Sequence, residues 1–360
     1  MENKSVNSTL EQTSPVFRFL LGAGGLALLL TFMREAADII NPFLLALIFA
    51  FTFGPILGWL QKKGIPAWLA LLLTLILLLG GGILLLVFIG TSFSELIETL
   101  PTYQSGAEDQ SADLQASLEN IGLNGKSVLD FISPERFFEL MGNIISEIIG
   151  AVANTGFMLF VLAFMLFETI GISKKLRGPR ISGNQFVKRF TSFGADIRRY
   201  VLVLTWINFL VGVADAIFLY ILGVDFPILW GLMAWFLGYI PAVGFWLAMI
   251  PPMLLAYAEF GIGTAMLVFV GYVLINGSVQ NIIQPKLMGD QLNLAPLVVV
   301  ASLFIWGWLL GPVGGLIAVP MSMAVQQLVL QSSEGTRWLA DLMGAGPPEP
   351  VDEDSVNVAA

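Results

Sequence analysis

Apolar residues fall in long blocks along this chain, and the polar positions lie between the blocks rather than alternating with them. Such blocks cover about 16–33, 39–60, 66–90, 144–167, 201–222 and 262–284. Roughly 18 or more apolar residues suffice to cross a bilayer as a helix. Six spans are therefore predicted.

Two further apolar stretches are interrupted. Residues 226–252 read "FPILWGLMAWFLGYIPAVGFWLAMIPP", and residues 295–321 read "APLVVVASLFIWGWLLGPVGGLIAVPM". Each opens with a proline (Pro227, Pro296), breaks at a Pro–Gly cluster and ends at another proline (Pro251, Pro320). The first cluster holds Gly238, Pro241 and Gly244; the second holds Gly311, Pro312, Gly314 and Gly315. Placing Gly244 on Gly314 also aligns Ala248 with Ala318, so the two stretches form a weak repeat. Each repeat unit pairs one span with one hairpin-like stretch, and the two units are inverted if the hairpins are re-entrant, an arrangement of many secondary transporters. Broken backbone at membrane depth persists only where protein or a hydrated cavity satisfies its polar groups.

The spaces between blocks carry segregated charge. Region 91–147 holds ten acidic residues against Lys126 and Arg136, with apolar Leu114, Leu118 and Ile121 at helical spacing, and "SPER" at 133–136 reads as a helix start. Between 171 and 199 lie Lys174, Lys175, Arg177, Arg180, Lys188, Arg189, Arg198 and Arg199, against Asp196. Beside a span, such a basic loop is expected on the cytoplasmic side, together with Lys62 and Lys63. The N-terminus is then cytoplasmic and the acidic region outside. Five parts follow: three spans in 1–90, an acidic helical domain in 91–147, a span and basic loop in 148–199, a core with both broken stretches in 200–335, and an acidic tail in 336–360.

Composition agrees with this picture. Of 360 residues, 56% are hydrophobic and 12% charged, and the mean hydropathy is +0.83. A soluble domain averages about 25% charged residues, so the medium facing this chain is lipid. The fold class is all-α, polytopic in the membrane. With no cysteine and no histidine, disulfides, thiol nucleophiles and His-ligated zinc are excluded. No nucleophile–base pair, metal cluster or phosphate-binding loop is evident: Gly80–Gly82 lacks the Lys-Ser/Thr that would follow. Neither an enzyme, a resident cofactor nor a nucleic-acid partner is expected.

Against this apolar background the polar residues inside spans stand out. Asn208 and Asp215 are seven residues apart and share a helix face. Asn276, Gln280 and Gln284 follow at i, i+4 and i+8, with Asn281 beside them; Pro285 then stops the helix and Lys286 follows. A single amide in a span usually bonds a neighbouring helix, and a lysine near a helix end usually snorkels. A stripe of three amides ending at a break is instead suited to line a pathway for a small polar solute. Pro241, Gly244, Pro285, Gly311, Pro312, Gly314 and Pro320 are the candidate breaks and gates.

The stretch "NIIQPKLMGDQLNLAPLVVVASLFIWGWLLGPVGGLIAVP", 281–320, resembles the C-terminal signature of the autoinducer-2 exporter family of bacterial membrane proteins. "LGYIPAVGFWLAMIPPML", 237–254, is similar to its Ile-Pro-x-x-Gly segment, and "NPFLLALIFAFTFGPILGWL", 41–60, to its N-terminal span. One departure is Phe245-Trp246, where the family pattern has Pro-Trp. The resemblance implies an inner-membrane transporter that assembles as a homo-oligomer. Some members export autoinducer-2, a small hydroxylated signal, and others are described as sodium or lithium/proton antiporters. Export of a small polar solute, with coupling to H⁺ or Na⁺, is the expected activity. A cation/proton antiporter using Asp215 and a non-transporting scaffold presenting the acidic domain remain alternatives.

Overall fold

A computed structural model of the chain describes residues 15–120, 155–176, 184–284 and 294–344. Every element among them is helical. The helices are α1 (Pro15–Glu35), α2 (Ala37–Lys62), α3 (Ala67–Asn120), α4 (Thr155–Leu176), α5 (Gln185–Leu222), α6 (Pro227–Leu237), α7 (Gly244–Phe260), α8 (Ile262–Ser278), α9 (Pro296–Leu316), α10 (Ala318–Ala324) and α11 (Glu334–Met343). Within them Ala37–Lys62, Ala67–Thr99, Gln185–Leu222 and Pro296–Leu316 are long and apolar enough to cross a membrane, and shorter apolar helices accompany them. Large apolar side chains point outward, Leu84 at 72% and Ile221 at 74% exposure. So much exposed apolar surface is stable where lipid replaces water. The protein is an all-α polytopic membrane protein.

Two helices overrun the apolar blocks that announced them. α3 is 54 residues long, roughly 80 Å at 1.5 Å per residue, and passes residue 90 without interruption. α5 starts at Gln185, sixteen residues before the apolar block, because Asn184 caps it by accepting from the Phe186 amide at 2.9 Å. Hydropathy locates the part of a helix in lipid; the hydrogen-bonded spiral itself continues into water when charged residues that tolerate helix follow. The expected helix start at 133–136 and the join to α4 lie outside the described residues.

The core is organised around the first interrupted stretch. Gly212 of α5 and Gly231 of α6 meet backbone to backbone: a Cβ on either would collide with the other's carbonyl oxygen. Trp230, Leu219, Leu229 and Tyr272, all buried, fill the space around that contact, and Leu96 of α3 packs there too. Further along α3, Tyr103 donates to Asp225 Oδ2 at 2.5 Å, and Gly106 abuts the Ala258 carbonyl. Burial and the Asp225 carboxylate push the Tyr103 phenol above its ordinary range, which keeps it a donor. Outside the apolar block, α3 thus braces both ends of the stretch.

The stretches do break. α6 has eleven residues and reaches roughly 16 Å, short of the ~30 Å hydrocarbon layer. The chain turns through 238–243, with Ala242 at φ 62°, and returns as α7. In α9 the interruption is a single residue: Gly311 has φ 69° and ψ −156°, a region open to glycine alone, and Pro312 follows.

Candidate functional site

A cavity of about 550 Å³ lies at the first break. Its walls come from α5, from the turn between α6 and α7, from α8 with its continuation, and from the start of α9. The size is within the usual range of ligand sites, roughly 300–1,000 Å³.

Four of the polar residues singled out in the sequence line it: Asn208, Asn276, Gln280 and Gln284. They arrive from two helices. Asn208 is 7% exposed and lies against Gly238, where any Cβ would stand 2.6–2.8 Å from the amide atoms. That close approach lets the tip of the hairpin reach the asparagine, and Asn208 Nδ2 has no protein partner. The other three descend α8 and its continuation past Ser278. At Val279–Ile283 the helix widens into a π turn, in which the Gln284 amide bonds the Val279 carbonyl five residues back. The turn breaks the even i, i+4 spacing, yet both glutamines still face the cavity. π bulges of this kind recur at functional sites.

Asp215 does not line the cavity. It is fully buried behind Asn276, whose Nδ2 donates to Asp215 Oδ2 at 3.4 Å and to the Tyr272 carbonyl at 3.0 Å. Asp215 Oδ1 and the Tyr272 hydroxyl are buried without partners. Asn276 therefore stands with one surface on the cavity and its amide nitrogen on the carboxylate.

The breaks separate in space. Pro241 lines the first cavity, and Gly244 opens α7 folded against the Leu237 carbonyl. Gly311 and Pro312 are elsewhere, beside α2, and Gly314 is folded against the Trp306 carbonyl. Pro320 is buried in α10, next to Val319 on the wall of the first cavity. Pro285 and Lys286 lie outside the described residues, as does the side chain of Asn281.

Sequence reasoning passed over two aromatic hydroxyls. Tyr200 and Tyr239 line the cavity, and Thr205 Oγ1 and Tyr239 Oη are 2.6 Å apart. Trp235 Nε1 donates to the Thr205 carbonyl at 3.2 Å and steadies that corner. A tyrosine between glycine and Ile-Pro, as in "GYIP", was the available signal. Phe245 and Trp246, the departure from the family pattern, are also on the wall. No charged side chain belongs to the described lining, and no group of acidic residues able to hold a metal occurs among the described residues.

Interrupted helices, with side-chain amides turned into a cavity whose described lining carries no charge, are the build of an integral membrane transporter. Residues 22–334 match the family described as AI-2E family transporter, and the chain belongs to that family. It is 31% identical over 331 residues to AI-2 transport protein TqsA of Escherichia coli K12, covering 91% of this chain and 95% of the relative. It is 28% identical to putative transport protein YhhT of the same strain, over 92% and 95% of the two chains. A putative transport protein of Haemophilus influenzae is 31% identical over 91% and 96%. The chain is thus a membrane transporter by family, and its relatives carry the names of transport proteins.

Proposed function

We propose that the protein is a secondary transporter that exports a small polar solute of the autoinducer-2 kind through the cavity at the first break. The carrying observation is the ring of Asn208, Asn276, Gln280 and Gln284 with two tyrosines around a cavity whose described lining bears no charge. Amides and phenols both donate and accept, which suits a neutral, polyhydroxylated ligand and gives an ion little to hold. The chain is read as an inner-membrane homo-oligomer with both termini cytoplasmic, in keeping with its basic loop. The name of the Escherichia coli relative supports the choice of solute.

Purified protein in liposomes tests this directly. Wild type is expected to move autoinducer-2 down an imposed gradient, and Gln280→Ala with Asn208→Ala to lower the initial rate at least tenfold. Wild-type liposomes no leakier to autoinducer-2 than protein-free ones would sink the reading.

The orphan oxygen of Asp215 favours a second role in the same protein. An uncompensated aspartate in a span costs about 2.5–3.5 kcal/mol, and a proton or sodium ion held at Oδ1 would supply the missing partner. Asp215→Asn, which keeps the shape, is expected to abolish acceleration of solute flux by a proton or sodium gradient while sparing downhill movement. Unchanged gradient dependence dismisses Asp215 as the coupling site, and unchanged sodium/proton exchange by Asp215→Asn in the same vesicles dismisses the cation/proton antiporter alternative.

A further inference from the structure

A second cavity, of about 650 Å³, lies against the other break. Arg34 and Asp38 stand at its exposed mouth on either side of the α1–α2 turn, and Asn41 lies one helical turn inside α2. Trp308, Leu310 and Gly311 of α9 form the opposite wall. Asn41 Nδ2 donates to the Leu310 carbonyl at 3.0 Å, the carbonyl immediately before the break. Its Oδ1 is buried and has no partner. The Arg34 guanidinium lies 5.1 Å from the centre of the Trp308 ring.

A carboxylate, a vacant amide oxygen, a guanidinium and an indole therefore converge on one void. Carboxylate and amide oxygens accept from adjacent hydroxyls, a guanidinium donates to them, and the apolar face of a small ring packs on an indole. A simple anion would meet Asp38, and a simple cation would meet Arg34. A neutral solute with several hydroxyls uses both.

One helix connects this cavity to the first. Pro296, Val299 and Val300 of α9 line the first cavity, and Gly307 and Trp308 line the second. Seven residues separate Val300 from Gly307, roughly 10 Å of helix, and Leu303 on that stretch is buried.

We propose that the cavity at Gly311 is a second binding station for a small solute carrying adjacent hydroxyl groups, at the far end of α9 from the first. Asp38 and Asn41 Oδ1 accept from the solute, Arg34 donates to it, and Trp308 carries its ring. The inference rests on the first cavity being the solute's path. Each station then serves one face of the membrane, and α9, common to both walls, is the element whose displacement exchanges them.

The test uses liposomes sorted by protein orientation, with autoinducer-2 as the probe and initial rates measured from each face. Asp38→Asn is expected to raise the half-saturating concentration about tenfold, equivalent to ~1.4 kcal/mol, from one face, and to leave the other within about twofold. Asn208→Ala should show the opposite preference. Asn41→Ala is a poor probe, because it also strips the Leu310 carbonyl of its donor. Should Asp38→Asn yield no folded protein, Trp308→Leu is read in the same way. Equal half-saturation from both faces in Asp38→Asn, or an equal loss from both, overturns the second station while leaving the first reading intact. Absence of probe movement by wild type overturns both.

Discussion

At the first break the six residues 238–243 separate α6 from α7, and the turn lies against α5; at the second, Gly311 alone leaves helical geometry and α9 resumes at once. The local device is similar. In each, a glycine just past the break folds against a carbonyl of the preceding arm, Gly244 on Leu237 and Gly314 on Trp306. In each, an asparagine from a neighbouring helix meets the broken turn. The asparagines are used differently. Asn41 Nδ2 is occupied by the Leu310 carbonyl, whereas Asn208 Nδ2 is unpartnered beside a cavity. An opened helix in lipid must have its polar groups met. Where a side chain meets them the opened turn is held in place, and the amide atom left over, Asn208 Nδ2 at the first break and Asn41 Oδ1 at the second, is available to a ligand.

Substitutions at the two breaks sharpen this contrast. The largest effect is expected from Gly231→Val, which drives a side chain into the Gly212 carbonyl and Ala216 Cβ. A loss of about 3 kcal/mol or more, at the upper end for overpacking, should appear as a collapse of the melting temperature in detergent. A wild-type melt would mean α5 and α6 do not meet there.

Gly311→Ala isolates the other cause. A Cβ at Gly311 has nothing within 4 Å, so the penalty is dihedral strain alone. About 2 kcal/mol is expected, and an unchanged melt would show that α9 runs straight through the site.

The smallest pair separates the asparagines. Asn41→Ala should cost about 1 kcal/mol by leaving a carbonyl unmet, seen as a modest fall in melting temperature. Asn208→Ala should leave the melt nearly unchanged and reduce autoinducer-2 flux. Reversal of that pattern would mean that Asn208, and not Asn41, is the asparagine that holds its broken turn in place.

Much of this was legible in the residues. Long apolar blocks with few charges state that the solvent is lipid, and Pro–Gly clusters state where helices cannot continue, because a proline lacks its N–H and glycine alone tolerates the Gly311 conformation. The amide stripe on α8 was legible from its spacing. The bracing by Tyr103, the π turn at Val279–Ile283 and the role of Asn41 were not, since each depends on a partner remote in sequence or on a local change of helical pitch.

The sequence by itself determined the fold class, the positions of both breaks and the presence of polar groups with something to bind. Only the tertiary structure decided that Asp215 stands behind Asn276 rather than on the cavity wall, that the two breaks border different cavities, and that Asn41 meets the carbonyl just before the second break. In water, an amphipathic stripe announces which face of a helix turns inward. In lipid most faces are apolar, and what selects the inner one is close fit, such as Gly212 against Gly231. That fit is a property of two surfaces together, and a single helix does not encode it.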